Sequence, residues 1–194
     1  MMIIAPRVLE GRHVRLEPAT APHREELRTA LDCDPANWAI QSVSALGEHF
    51  DGYWSLMTET PGRVAYVVRS KASGCIAGTS SIFAIDAEHG TCEIGYTWFL
   101  PEYRGGAVNP ETKLLMLTEA FAAGALRVQF SVDARNARSQ AAVLKLGATK
   151  EGVIRRHRIT WNGHKRDTAL FSIIDEEWPE VERRLKARLS AAGG

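Results

Sequence analysis

Polar and apolar residues alternate along Gly11-Arg12-His13-Val14-Arg15-Leu16-Glu17-Pro18, the period of a half-buried strand closed by proline. Thr20 then reads as a helix N-cap, and residues 22–31 carry helical spacing. A second helical stretch spans 45–57, with Phe50, Tyr53 and Trp54 on it, and Pro61-Gly62 ends it. Three β-rich runs follow at 63–69, 75–85 and 91–99, divided by Ser73-Gly74 and a turn cluster at 86–90, so an antiparallel meander is expected. The period then switches. Residues 111–123 are helical, 126–132 form a strand, and 139–146 are helical and stopped by Gly147. Two further strands, 152–161 and 164–174, flank Asn162-Gly163, a pair that predicts a hairpin with a type I′ turn, and a polar helix covers 175–189. The result is a mixed α/β chain on a largely antiparallel sheet.

The chain has 194 residues, 45% hydrophobic and 24% charged, enough to bury one sizeable core. With no repeat, low-complexity tract or linker, a single domain over 1–194 is expected. Lys and Arg number 24 against 23 Asp and Glu, a net charge of +1, so no overall field would gather nucleic acid or an anionic membrane. Cys33, Cys75 and Cys92 lack the close spacing of a zinc site or redox dithiol; they read as reduced thiols of a cytoplasmic protein without a metal. The apolar start breaks at Pro6-Arg7, and no run approaches the ~20 residues of a membrane span.

The candidate chemistry begins at Trp98-Phe99-Leu100-Pro101-Glu102-Tyr103-Arg104-Gly105-Gly106-Ala107-Val108-Asn109, which leads from a strand through a glycine-bearing loop into a helix. The first-turn N–H groups of a helix, aided by its dipole, form an anion site, and Gly105 and Gly106 allow close backbone approach. An isolated Gly-Gly would only turn the chain. A second segment, Asp133-Ala134-Arg135-Asn136-Ala137-Arg138-Ser139 followed by Leu144-Lys145-Leu146-Gly147-Ala148, places Asn136 at a strand end with Ser139 three residues on. That pair also reads as an ordinary N-cap.

Together the two segments resemble the cofactor motifs of the GNAT acetyltransferases, and the chain is similar in particular to the RimJ/RimL-like branch. The first resembles the family's Arg/Gln-x-x-Gly-x-Gly/Ala loop, departing from it at Ala107 and Asn109; the second resembles Asn-x-x-Ser with a Leu-Gly-Ala ending, extended by Glu151-Gly152. Similarity also runs through 11–18, Arg166-Asp167-Thr168 and Glu177-Trp178-Pro179.

The resemblance implies a GNAT fold: a mixed, mostly antiparallel sheet of about seven strands flanked by helices, with a V-shaped splay between strands 93–99 and 126–132 that takes the pantetheine arm. It implies acetyl-CoA as co-substrate, held by Trp98, Phe99, Leu100, Arg104, Gly105, Gly106, Ala107, Val108, Asn109, Asn136 and Ser139. The acceptor is a primary amine, either a protein N-terminus or a small molecule, and relatives suggest a homodimer.

Direct transfer requires a neutral amine, a stabilised oxyanion and a tolerable leaving group. The resemblance makes Glu93 the candidate base and the backbone N–H groups near Trp98 the candidate oxyanion donors. Ser139 is the candidate acid for the departing thiolate, because no tyrosine follows Tyr103. Arg155-Arg156-His157-Arg158 stands where some RimL-like proteins carry a carboxylate, which makes His157 a second candidate base. That run, with Lys165 and Arg166, either draws an acidic or phosphorylated substrate or forms a solvated hairpin face. Trp38, Phe50, Tyr53 and Trp54 either shape the acceptor wall or pack as core. Two other readings are an acyl-CoA-binding sensor without turnover and an RNA-associated protein using the 155–158 hairpin.

Overall fold

The computed structural model describes residues 2–191. In chain order the elements are β1 (Leu9–Glu10), β2 (Val14–Pro18), α1 (Arg24–Leu31), α2 (Pro35–Trp38), α3 (Phe50–Thr58), β3 (Val64–Ser70), β4 (Ile76–Asp86) and β5 (Thr91–Phe99). There follow α4 (Val108–Ala122), β6 (Arg127–Asp133), α5 (Ala137–Leu146), β7 (Thr149–Ile159), β8 (Lys165–Ile174) and α6 (Trp178–Ala191). One eight-stranded sheet runs β1-β2-β3-β4-β5-β6-β8-β7. Every neighbouring pair is antiparallel except β5 and β6.

The central strands are buried on both faces, and β3 shows how. Its alternate residues Tyr66 and Val68 join one core with Leu16, Ile94, Met116, Leu117, Phe171 and Leu185, under α4 and α6. Ala65 and Val67 join the other, with Leu27, Trp38, Phe50, Tyr53, Met57 and Trp98, under α1 to α3. Two-sided burial explains why β3 reads as a nearly continuous apolar run. Each large side chain so buried contributes roughly 1.5–3 kcal/mol.

The expected elements differ from the observed ones in several places. The strand expected at 11–18 begins only at Val14, because Gly11 N–H returns to Val14 O at 2.9 Å; that turn folds Leu9–Glu10 back onto it as β1, which raises the strand number to eight. Thr20 caps a short 3-10 turn, Ala21–His23, rather than α1 itself. A 3-10 turn at Gly47–His49 opens the second helical stretch, and the short α2 lies ahead of it. Helix α4 begins at Val108, three residues early, because Pro110 sits in its first turn, where its missing N–H has no partner to lose. Helix α6 starts at Trp178, after Ile174 N–H bonds Glu177 Oε2 at 3.2 Å and turns the chain.

The β7–β8 hairpin forms, but its turn is not type I′. That type requires positive φ at both central residues; Gly163 has φ +80 and Asn162 does not have positive φ. Instead Gly163 N–H bonds Thr160 O at 2.9 Å, and the tip docks on the segment after α2. Trp161 Nε1 donates to Trp38 O at 3.0 Å and Asn162 Nδ2 to Ala39 O at 3.0 Å.

Candidate active site

The two parallel strands stay paired for only three positions, Thr91↔Arg127, Cys92↔Val128 and Glu93↔Gln129. Beyond Glu93, β5 follows β4 as far as Phe99 while β6 follows β8 as far as Asp133, so the sheet forks. The fork opens a cleft of about 430 Å³ lined by Ile94 to Phe99 on one strand and Phe130 to Val132 on the other. A bulge in β5 sets Tyr96 and Thr97 against Ser80 alone, with Tyr96 at φ +48. Such a bulge interrupts the ladder and turns backbone groups toward the opening.

At the wide end lie Gly105, Gly106, Asn109 and Pro110, where α4 begins. Gly105 is left-handed at φ +82, a conformation that favours glycine. Ala107, the N-cap of α4, supplies no side-chain bond, which leaves the first-turn N–H groups to a ligand anion. Trp98 and Phe99 line the cleft, whereas Leu100 packs into the core under α1 to α3 and Val108 into the core under α4. Arg104 also lines the cleft, but its Nε donates to Phe99 O at 2.8 Å, it pairs with Asp34 at 2.5 Å and it lies over the Trp98 ring. Its first role is therefore to hold the loop.

Asn136 and Ser139 come together at the start of α5 and line the cleft. Asn136 Oδ1 accepts from Ser139 N–H at 3.0 Å, so the capping role is real, and Ser139 also borders the opening. Arg138, Lys145 and Arg188 add positive charge to the walls. An extended chain with amides, a pyrophosphate and a further phosphate suits this set of strand edge, helix start and basic side chains.

A smaller pocket of about 70 Å³ shares Gly95 to Trp98, Asn136 and Ser139 with the cleft and ends at Glu93. Glu93 is 7% exposed, and its Oε2 accepts from Gln129 Nε2 at 3.2 Å. Although near the start of β5, it is buried rather than solvated. His157 is half-buried, outside the lining of both openings, and burial beside Arg158 and Arg166 lowers its pKa. Trp38 and Tyr53 both wall this pocket and pack as core, while Phe50 and Trp54 serve the core alone. Trp38 stacks on Trp98 at 5.1 Å between ring centroids.

Two residues of the site were not singled out in the sequence. Tyr96, at the bulge, lines both openings and is braced by Arg63 over its ring at 4.1 Å and by Phe83. Lys113, on α4, lines the cleft floor at 5% exposure, and burial lowers its pKa to about 7. The spacing of α4 carried a trace of it: Lys113 lies one turn before Met116 and Leu117 on an otherwise apolar face.

A forked sheet with an anion site at a helix start and a buried carboxylate at the vertex is the frame of a group-transfer enzyme that lays an extended carrier between two strands. Comparison with known proteins gives the class a name. The acetyltransferase (GNAT) domain matches residues 13–149, and the chain belongs to that family; it is an N-acetyltransferase. A protein from T. thermophilus described as an acetyltransferase is 38% identical, with a TM-score of 0.88, over 97% of this chain and all of that one (100%). A GCN5-related N-acetyltransferase from Brucella melitensis is 29% identical with the same TM-score, 0.88, over 95% of this chain and 86% of its own. Mycobacterium smegmatis RimJ, solved with CoA-disulfide, shares the fold at TM-score 0.80 and 19% identity, covering 94% and 95% of the two chains. No curated protein matches the sequence.

Proposed function

We propose that this protein, acting as one domain over 1–194, transfers an acetyl group from acetyl-CoA to a primary amine by direct attack, as a RimJ/RimL-like enzyme of the cytoplasm. The carrying observation is Glu93, a buried carboxylate with one amide partner in the lining of the small pocket that adjoins the cleft. The cofactor would lie along β5, with its phosphates on the start of α4 and among Arg138, Lys145 and Arg188, and it brings an activated acetyl thioester. Glu93 takes the proton from the incoming amine, directly or through one water. Backbone N–H groups at the Tyr96–Trp98 bulge stabilise the carbonyl oxygen as it gains charge. Asn136 Nδ2 orients the pantetheine amides, and the Ser139 hydroxyl, beside the α5 cap, passes a proton to the departing thiolate and takes one back from solvent, into which Glu93 releases the amine's proton. Free Cys33, Cys75 and Cys92 fit a reducing compartment. The assembly suggested by resemblance is a homodimer, which sedimentation would check.

The test is calorimetric titration of acetyl-CoA followed by thiol release against N-terminal peptides, lysine peptides, polyamines and aminoglycosides. Saturable binding with turnover is expected, and Glu93→Gln should lower kcat about 10²-fold or more with cofactor affinity retained. Absence of acetyl-CoA binding would refute the proposal.

A further inference from the structure

The small pocket carries charges that define its occupant. Arg158 on β7 and Arg166 on β8 are direct cross-strand partners, and both line the pocket. Like charges placed opposite one another repel. A register shift between Ile154 and Arg158, with Arg156 at φ +52, sets this alignment, and a bulge of this kind re-aims side chains. Arg166 is 5% exposed; its Nη1 donates to Ser42 Oγ and its Nη2 to Ser131 O at 3.1 Å, while the buried Nε has no partner. Among the described residues neither arginine has an ion pair.

The pocket's own carboxylates attract Arg166 but form an ion pair with neither arginine. Asp133 is taken by Arg135, Nε to Oδ1 at 3.0 Å and Nη2 to Oδ2 at 2.8 Å, and Glu93 sits with Gln129. A buried guanidinium without a paired counter-ion is costly: burial lowers the Arg166 pKa, the attraction of Asp133 and Glu93 offsets this only in part, and Arg158 adds to it. The exposed Arg155, Arg156 and Lys165 form a solvated hairpin face outside the pocket; Arg158, also exposed, borders the pocket mouth, and Arg166 is buried in its wall.

We propose that the acceptor is an amine bearing its own anion, a carboxylate or phosphate, which docks on the Arg158–Arg166 pair while the amino group faces Glu93. This deepens the acetyltransferase reading and rests on it. Guanidinium forks match both oxyanions in geometry. A pocket of about 70 Å³ has room for on the order of five water-sized groups, so anion and amine are separated by only a few bonds.

The experiment uses the full chain with acetyl-CoA and acceptors in matched pairs. These are glycine with glycinamide, O-phosphoethanolamine with ethanolamine, and a peptide opening Ala-Asp with one opening Ala-Asn. In at least one pair the acidic member should have kcat/KM higher by about tenfold or more, and the pair showing it identifies the source of the anion. Arg158→Ala should bring that ratio toward unity, with Arg158→Lys intermediate, whereas Arg155→Ala on the exposed face should keep it. Should acetyl-CoA bind while every pair is acetylated alike, or while no acidic member is turned over or binds better than its partner, the acceptor class is wrong. Failure of acetyl-CoA to bind would instead overturn the acetyltransferase reading and this inference with it.

Discussion

Replacing Lys113 by methionine should stabilise the protein and remove a specific part of its pH dependence. Lys113 Nζ is buried against Ser80 Oγ at 3.0 Å and Thr97 Oγ1, and desolvation alone takes its pKa from the ordinary 10.5 to about 7. Each tenfold change in proton affinity is worth about 1.4 kcal/mol, so that fall corresponds to on the order of 5 kcal/mol of lost stability wherever the unfolded lysine is charged. The unfolded chain binds the extra proton between about pH 7 and 10.5, so stability rises with pH across that window, by at most about 1.4 kcal/mol per pH unit. Below pH 7 the penalty is constant, and above 10.5 it is gone. Methionine fills similar volume, and the Ser80 and Thr97 hydroxyls remain bonded to each other at 2.7 Å, so the substitution strands neither. Urea unfolding at about pH 7 should show Lys113→Met more stable by on the order of 2–4 kcal/mol, the gain shrinking toward zero near about pH 10. Stability differences that stay parallel over that range, or a less stable variant at neutral pH, would refute the reasoning.

Three more outcomes follow from the same contacts. Asn109→Glu should weaken acetyl-CoA binding about tenfold or more by opposing the phosphates, while raising the thermal midpoint of the free protein slightly, because an acid suits a helix start; titration and a melting curve read both. Ser139→Ala should reduce kcat by about tenfold with little change in cofactor affinity, since the cap is carried by its backbone N–H and the side chain of Asn136; an unaltered kcat would leave Ser139 as a structural position only. Glu111→Ala should cost on the order of 3 kcal/mol in denaturant midpoint measurements, because its carboxylate accepts from the backbone N–H groups of Arg12, His13 and Val14 at 2.9, 2.6 and 2.8 Å.

The sequence by itself determined most of the element order, the antiparallel meander and the two strand-to-helix segments that line the cleft, because these are local. Period, proline, glycine and capping residues act within a few positions of one another, as Asn136 and Ser139 or Gly147 at φ +108 illustrate. It also pointed to Glu93, but only the register decided its state: pairing that ends at Glu93↔Gln129 buries the carboxylate at the vertex of the fork. Arg104 kept its place in the loop but gained a second role once Asp34, 70 positions away in the chain, closed on it. The apolar spacing of α4 gave only a trace of Lys113 until β4 and β5 packed against it, and Tyr96 reaches the cleft only through a bulge against Ser80. The sequence put Arg158 in the 155–158 run and Arg166 on the facing strand of the hairpin; only the pairing register of β7 and β8 set the two opposite each other beside a pocket. Burial, register and cross-strand charge are properties of pairs distant along the chain, and only the tertiary structure brings such pairs together.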